Sequence, residues 1–302
     1  FMKLIKSTYL RIKLNRGIII KTASTVVGCV YTIWGCVSLF EPLEGLFYEN
    51  ITGWMKLGIG MGVLLIVALI AFIGSSIYYL CSECTHVLTS NSRKKVYVQF
   101  GDMYSPDIVE KGYSKRRNIV IPVNRCFDTI VDDNLVSHNT QHGKVMQELY
   151  DKGLYDSNIL NDEIQASVSR ISDFEQLSTN QKMLGNLKRY ACGTVAEIKV
   201  SESLTYFFLG LSKFNERLKA STTKAEFAEA VQKMIEYCNE RAQGYPVVLP
   251  LMGTGLSRTN IPAGEVLKYM VSAFRINRDI INCDFHIVVC TGLKDEISIK
   301  NL

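Results

Sequence analysis

Two long apolar stretches near the amino terminus constrain the fold most strongly. Residues 57–80 are 24 positions with no Asp, Glu, Lys, Arg or His, and residues 23–40 are another 18. A helix needs about 20 apolar residues to cross a hydrocarbon core about 30 Å thick. The pattern predicts two transmembrane helices, at about 17–40 and 56–80. A cleaved signal peptide is the alternative for the first, but a second span follows closely and no small-residue cleavage pattern ends the first.

The positions of the lysines and arginines predict the sidedness of these spans. Six basic residues and no acid lie in residues 1–21, the loop between the spans is net negative, and three basic residues stand at 93–95. Basic residues accumulate on the cytoplasmic side of a membrane. We therefore expect a multi-pass protein of the inner (cell) membrane, with both termini in the cytoplasm and the lipid bilayer as a partner.

Small residues recur at four-residue spacing on both predicted spans. They are Ser24, Gly28, Thr32 and Cys36 on the first and Gly58 and Gly62 on the second. Such positions let helix backbones approach closely. They either close the hairpin within one chain or join helices of different chains, and the short loop favours the hairpin.

The remaining charge is nearly balanced. Residues 91–302 carry 27 basic and 25 acidic side chains, whereas a nucleic-acid-binding domain normally shows a concentrated basic excess. The nine cysteines are odd in number and mostly scattered through apolar stretches, which is typical of buried thiols in a reducing compartment. Cys81 and Cys84 provide at most half of a zinc site. We expect no nucleic-acid partner, no metal and no cofactor.

Short apolar runs alternate with helical patterns after residue 94. Several runs are apolar on both faces, which indicates strands covered by helices on both sides. The fold class predicted for residues 95–302 is α/β, a three-layer α/β/α domain with a mixed sheet, preceded by the two-helix transmembrane hairpin in residues 1–94. The predicted strands are 96–100, 119–123, 193–200, 205–211, 247–252 and 285–290, and the predicted helices are 144–151, 162–169, 224–241 and 264–277.

Two glycine-containing turns join a predicted strand end to a predicted helix. One is Gly253-Thr254-Gly255, after the strand that ends at Met252, and the other is His142-Gly143-Lys144. Bare backbone N–H groups at such turns can approach a phosphate. Neither turn matches a Walker A motif or the full dinucleotide fingerprint, and a tight turn without a ligand is the structural alternative.

Four segments in order resemble the macro domain, the ADP-ribose-binding module, over about residues 95–302. Gly101-Asp102-Met103 resembles the family's Gly-Asp-Ile. Val123-Asn124 resembles the start of its Val-Asn-Ala-Ala-Asn segment. His142-Gly143-Lys144-Val145 stands where the first glycine-rich loop leads into a helix. The segment from Pro250 to Leu256 resembles the second phosphate loop.

A closer resemblance is to the divergent macro domain of Thoeris anti-phage defence effectors. The run from Val123 to Asp133, followed by His142-Gly143, carries it, and one branch of that family also has two amino-terminal transmembrane helices. The resemblance implies a receptor for an NAD-derived signalling nucleotide, an ADP-ribose derivative such as a histidine conjugate. It further implies a TIR-domain partner enzyme that makes this signal, and membrane disruption on activation. Two helices cannot enclose a pore, so we expect a homo-oligomer to form on activation.

The resemblance also assigns ligand roles. Asp102 would accept a hydrogen bond from the adenine amino group, or form a turn. Asn124 would bind the distal ribose or a conjugated group, or cap a loop. Gly143, Gly253 and Gly255 would turn their amides toward the diphosphate.

The other candidates lie in the same segments. Phe127 would stack on a ring or pack in the core, Asp128 would recognise an added amine or amino acid, His142 would contact the ligand, and Lys144 would screen the phosphates. The predicted ligand-binding residues are Asp102, Met103, Asn124, Phe127, Asp128, Thr129, His142, Gly143, Lys144, Gly253, Thr254, Gly255, Leu256 and Ser257.

Catalysis is not expected, and no catalytic residue is assigned. Hydrolytic macro domains place a second asparagine near the attacking water, and an ungapped match puts Phe127 there. Two alternatives stay open at this point. The chain could be a membrane-tethered ADP-ribosyl hydrolase, or a non-enzymatic anchor that recruits a partner protein through the polar insertion at 155–188.

Overall fold

The computed structural model describes residues 2–40, 53–109, 116–253 and 261–302. They form two compact units. The first unit contains the amino-terminal helices together with residues 294–301, and the second contains Cys84–Leu293. The sequence predicted the boundary at residue 94. It lies eleven residues earlier, after Glu83, because the segment that follows the second helix forms an edge strand of the sheet.

Two helices make up most of the first unit, α1 (Met2–Phe40) and α2 (Gly53–Cys81). Both are long and apolar enough to cross a membrane, over Ile5–Cys36 and Gly58–Cys81. The 39 residues of α1 extend roughly 58 Å, nearly twice the thickness of a hydrocarbon core. The structure thus contains two candidate membrane-spanning helices, and the basic amino-terminal segment continues the first of them as helix.

The helix pair is held together by residues 11–23 of α1 and residues 71–80 of α2. Its buried positions are Ile19, Ala23, Ala71, Ser75 and Ser76. The hydroxyl groups of Thr22 and Tyr79 share a hydrogen bond of 2.8 Å, and the guanidinium of Arg11 donates to the carbonyl of Leu80. Small side chains at these positions permit the close approach.

The glycines expected to close the hairpin do not do so. A methyl group placed on Gly28, Gly58 or Gly62 would meet no described atom within 4 Å. Thr32 and Cys36 are also exposed on α1. The prediction that the small-residue faces close the hairpin within one chain was wrong, because alanine and serine positions nearer the carboxyl end of α2 make that contact.

The carboxyl-terminal segment 294–301 packs on the helices of the first unit. Ser7 donates to Asp295 at 2.6 Å, Ser298 donates to Asn15 at 2.6 Å, and Lys300 donates to Ser82 at 2.6 Å. Lys294 and Glu83 form an ion pair. The sequence predicts this segment as part of the α/β domain, because its short polar pattern carries no signal for partners more than 200 residues away.

The second unit is a mixed sheet with helices on both faces, as predicted. The sheet has eight strands in the order β1-β2-β10-β9-β3-β7-β6, with β8 paired to β7. β4 and β5 form a separate two-stranded sheet. The strands are β1 (Cys84–Thr89), β2 (Lys95–Phe100), β3 (Arg117–Asn124), β4 (Phe174–Gln176), β5 (Lys188–Tyr190), β6 (Val195–Ser201), β7 (Leu204–Phe214), β8 (Ala220–Ser221), β9 (Val247–Pro250) and β10 (Phe285–Val289).

Five neighbouring strands of the sheet are parallel. β10 pairs with β2 and β9, and β3 pairs with β9 and β7, all in parallel register, whereas β1, β6 and β8 pair antiparallel. Their helices are α3 (Gln141–Asp151), α4 (Ser157–Ser169), α5 (Lys224–Arg241) and α6 (Ala263–Ile276). The carboxyl ends of β2, β10, β9, β3 and β7 therefore meet at one edge.

Alternation along β7 shows why helices cover both faces. Tyr206 and Phe208 pack in one core cluster with residues of α3 and α4. Phe207 points to the other side, where its ring lies 5.4 Å from that of Tyr237 on α5. A strand buried on both faces needs apolar residues at consecutive positions, which is the pattern that predicted it.

We expect removal of residues 294–302 to loosen the start of α1. Each lost hydrogen bond is worth about 1 kcal/mol, so local opening should rise about five-fold or more. Limited trypsin digestion with mass spectrometry should show faster cleavage after Lys13 and Arg16, with cleavage after the exposed Arg217 unchanged. Equal rates after Lys13 and Arg16 in the two proteins would contradict this packing.

Candidate functional site

A cleft of about 1050 Å³ runs along the edge where the parallel strands end. Residues that follow β2, β10, β9, β3 and β7 line it, together with the start of α3. Ligands of open α/β sheets bind outside the carboxyl ends of the strands. The volume suits an organic ligand of nucleotide size.

The β2 end of the cleft is formed by Gly101, Asp102, Met103 and Tyr104. Asp102 is exposed, and its carboxylate accepts from the backbone N–H of Tyr104 at 3.1 Å, so it also forms a turn. The phenol of Tyr104 donates to the side chain of Gln141 at 2.7 Å, and burial raises its pKa. Tyr104 thus fixes this loop to the first residue of α3.

The amino terminus of α3 opens into the cleft. Thr140 caps the helix, and its hydroxyl accepts from the N–H of Gly143 at 2.9 Å. The backbone N–H groups of Gln141 and His142 donate to no residue that the structure describes. Both residues line the cleft, as does Lys144. Free N–H groups and the helix dipole favour an anion at this point.

The structure changes the role expected for Gly143. Its N–H is occupied by Thr140 and it is not among the described residues that line the cleft. A Cβ at this position would lie 2.1 Å from the carbonyl oxygen of Ser137. Glycine is needed here because the preceding loop passes too close for any side chain, while the amides open to a ligand are those of the two preceding residues.

The second glycine turn is described only in part. Leu251, Met252 and Gly253 line the cleft, and Gly253 has a φ of 81°, a conformation that favours glycine. The other predicted residues of this turn, Thr254, Gly255, Leu256 and Ser257, lie outside the described residues.

Asn124 ends β3 at the floor of the cleft and is 5% exposed. Its side-chain oxygen accepts from the N–H of Cys126 at 3.0 Å and, at 3.5 Å, from that of Asp128. This is the loop cap considered as an alternative. It leaves the side-chain NH₂ group for a ligand, so the two roles are compatible in one residue.

Phe127 packs in the core and not against the cleft. It is 1% exposed, and its ring lies edge-on to Tyr190 at 5.7 Å. Its φ of 52° is uncommon for a residue other than glycine. A Cβ on Gly210 would lie 3.1 Å from this ring. Of the two roles considered for Phe127, the structure shows packing in the core and no face open to the cleft.

Asp128 and Thr129 also lie outside the described cleft lining. The carboxylate of Asp128 contacts the ammonium of Lys182 at 2.9 Å and accepts from the N–H of Asn186 at 2.7 Å. Burial raises the pKa of Asp128, and the charge of Lys182 opposes this shift. The hydroxyl of Thr129 donates to the carbonyl of Ser157 at 3.3 Å. Both residues anchor the 155–188 insertion, which sequence spacing could not show.

His142 lies in the wall of the cleft and is 6% exposed. Its Nε2 has no hydrogen-bond partner among the residues that the structure covers. Burial lowers the pKa of His142 to about 3, against a smaller opposing effect from a backbone hydrogen bond with Asp128. The imidazole is therefore neutral near pH 7 and acts as a polar, uncharged group.

Three further segments of the cleft carried no site prediction. They are the loop residues 133–139, the hairpin residues 214–220, and residues 290–293 after β10. Their place in the cleft could be predicted only from the order of the parallel strands, because strands that end at one edge bring their following segments together. In the part of the chain that is described, no group of three or more metal-ligating side chains occurs.

Comparison with known proteins shows which family this chain matches. The family model described as "Thoeris protein ThsA, Macro domain" matches residues 96–290. A similar protein is Thoeris protein ThsA of Bacillus amyloliquefaciens (strain Y2), which is 22% identical over 222 residues, or 70% of this chain and 69% of that protein.

Solved macrodomains are also similar to this chain. A mutant of the Oceanobacillus iheyensis macrodomain with ADPR is 12% identical, with a TM-score of 0.40 over 72% of this chain and 95% of that one. The macrodomain of Mycobacterium tuberculosis DarG is 11% identical, with a TM-score of 0.34 over 63% of this chain and 96% of that one.

We expect Asp128→Asn to destabilise the fold and leave the cleft intact. The change leaves the Lys182 ammonium buried without its carboxylate, which costs about 3–5 kcal/mol. The midpoint of thermal unfolding should fall, and the double variant with Lys182→Met should recover most of the loss. Wild-type stability together with lost ligand affinity would instead make Asp128 a ligand contact.

We expect His142→Gln to reduce the pH dependence of stability. The pKa of His142 is about 3 in the folded chain and about 6.5 when unfolded. Its contribution is complete above pH 6.5 and is lost as the pH falls toward 3, by about 1.4 kcal/mol per pH unit. Urea unfolding of both proteins between pH 7 and pH 4.5 measures the difference. Parallel curves would show that the pKa of His142 is the same in the folded and the unfolded chain.

Proposed function

Because the chain belongs to the macro-domain family of the Thoeris protein ThsA, we propose that it is a membrane-anchored receptor and effector of anti-phage defence. One observation carries this proposal. The chain combines two candidate membrane-spanning helices with a cleft that contains an open helix amino terminus, an acidic residue and a buried amide. Ligand recognition and membrane action would thus reside in one polypeptide.

The proposed ligand is an ADP-ribose derivative made from NAD by a TIR-domain partner, and the family resemblance suggests its histidine conjugate. The N–H groups of Gln141 and His142 and the ammonium of Lys144 would hold the diphosphate. Asp102 would accept from the adenine amino group, and the side-chain NH₂ of Asn124 would donate to the distal ribose. Asp102 follows β2 and Asn124 ends β3, three strand steps away in the sheet, and both line one cleft, which supports a proposal of an extended ligand.

We propose binding without hydrolysis. The side chain of Phe127, at the position of the second asparagine, is buried in the core, and the oxygen of Asn124 is occupied by backbone N–H groups. Neither leaves a carboxylate or amide oxygen there to orient an attacking water. A receptor benefits from this arrangement, because the signal persists while it is bound.

Binding would act on the membrane through assembly of several chains. A ligand shifts a conformational equilibrium only by binding one state more tightly than the other. Two helices cannot enclose a pore, so a lesion requires an oligomer. The open faces at Gly28, Gly58 and Gly62 support contacts between chains, since close helix packing in membranes uses such residues.

We expect the full chain in lipid vesicles to bind the histidine conjugate of ADP-ribose and then to release an encapsulated dye. Asn124→Asp keeps the acceptor that caps the loop and removes the donor for the ligand. It should weaken binding about ten-fold or more and reduce leakage in parallel. Isothermal titration and dye fluorescence measure the two steps.

The matched control is Asn158→Asp, which makes the same chemical change at an exposed position on α4 outside the described cleft lining. It should bind and leak like wild type. Folded wild-type protein that binds neither ADP-ribose nor its conjugates would overturn the proposal. Release of free ADP-ribose from a modified protein, lost in Asn124→Asp, would indicate a hydrolase.

A further inference from the structure

A groove of about 290 Å³ lies between α1 and α2 in the first unit. Apolar and small side chains line it, namely Ile20, Ala23, Ser24 and Val27 from α1 and Ala68 and Phe72 from α2. All six lie within the candidate membrane-spanning stretches. A methylene group is about as large as a water molecule, which takes up about 30 Å³, so the groove has room for roughly ten methylene groups. This is the size of a segment of one acyl chain.

Two basic side chains stand at one end of the groove. Lys13, Arg16, Ile20 and Val27 follow one another at spacings of three, four and seven residues, which places them on one face of α1. Lys13 and Arg16 are exposed and form no hydrogen bond or ion pair with any residue that the structure describes. The face that carries these two cations therefore continues directly into the groove.

The other side of α1 is already in contact with protein groups. Ser7 donates to Asp295 of the carboxyl-terminal segment, and Arg11 donates to the carbonyl of Leu80 at the end of α2. At about 100° per residue, Ser7 and Arg11 lie about 120° and about 160° around the helix from Lys13. The helix itself contains no acidic residue. The two cations are thus not neutralised within α1, and their face points away from Asp295.

The heights of these residues along α1 correspond to one leaflet of a bilayer. A helix rises about 1.5 Å per residue, so Ile20 to Val27 extend about 10 Å, and Arg16 and Lys13 lie about 6 Å and about 10 Å before Ile20. One leaflet has about 15 Å of hydrocarbon followed by about 5–8 Å of headgroups. Long basic side chains can also extend along the helix toward the interface. The groove is therefore at acyl-chain depth and the two cations are at headgroup depth.

We propose that Lys13, Arg16 and the groove form a binding site for one anionic phospholipid, in the leaflet at the basic end of α1. The two cations hold the negatively charged headgroup, and one acyl chain lies against Ile20, Val27 and Phe72. The proposal rests on the proposed function only in that α1 and α2 cross a bilayer, and it is independent of the nucleotide cleft. Anionic lipid is then a specific partner of the helix pair.

The test uses the full chain in vesicles with equal amounts of phosphatidylglycerol and phosphatidylethanolamine that have the same acyl chains. After extraction in mild detergent, native mass spectrometry measures which lipid the chain retains. Wild type should retain the anionic lipid about ten-fold or more over the zwitterionic one, since each Lys or Arg near an anionic surface contributes about five-fold. Lys13→Gln with Arg16→Gln should lower this ratio about five-fold or more. The swap Lys13→Arg with Arg16→Lys keeps both charges and should keep the ratio.

Matched controls separate the site from general effects of charge and size. Arg217→Gln with Lys224→Gln removes two exposed positive charges from the second unit and should leave the ratio unchanged. Val27→Phe fills the groove and should lower the retained amount of both lipids. Val26→Phe makes the same change one residue earlier, outside the described lining of the groove, and should retain lipid like wild type.

Three outcomes would count against these assignments. Equal retention of the two lipids by wild type, or an equal fall of the ratio in both double Gln variants, would overturn the lipid site. A changed oligomeric mass of Val27→Phe with unchanged lipid retention would also overturn it, because the groove would then be a contact between two copies of the chain. Failure of the wild-type chain to float with the vesicles would instead overturn the membrane part of the proposed function.

Discussion

Parallel pairing of β2, β10, β9, β3 and β7 is the constraint on which the rest of the second unit depends. Parallel strands place their carboxyl ends at one edge, so segments that are distant along the chain meet there. Asp102 and Leu293 are almost 200 residues apart and line the same cleft. The pairing is stable because helices bury both faces of the sheet, with α3 and α4 on one side and α5 on the other.

Phe127 and Asp128 are predicted from the sequence as ligand contacts, but in the structure they support the floor of the cleft from below. The loop after β3 turns away from the cleft at Phe127, which fills space that Gly210 leaves open. Asp128 then pairs with the fully buried Lys182. Breaking such a pair is strongly destabilising, because one buried charge remains uncompensated. The insertion at 155–188 therefore supports the loop that presents Asn124 to the cleft.

The two units are joined by the chain at Glu83–Cys84 and at Leu293–Lys294. Within the first unit, Glu83 and Lys294 form an ion pair, and the residues that follow bind α1 and the end of α2. Leu293 itself lines the cleft of the second unit.

The sequence by itself determined the two apolar helices, the α/β class and most strands, because hydropathy and its period depend only on local order. It also located Asp102, Asn124 and His142, which stand directly after strands or at a helix start. Tertiary structure decided the rest. The ammonium of Lys182 pairs with the carboxylate of Asp128, and Leu218 lines the same cleft as Asp102 and Asn124. Both arrangements depend on segments that lie far apart along the chain and that only the tertiary structure brings together.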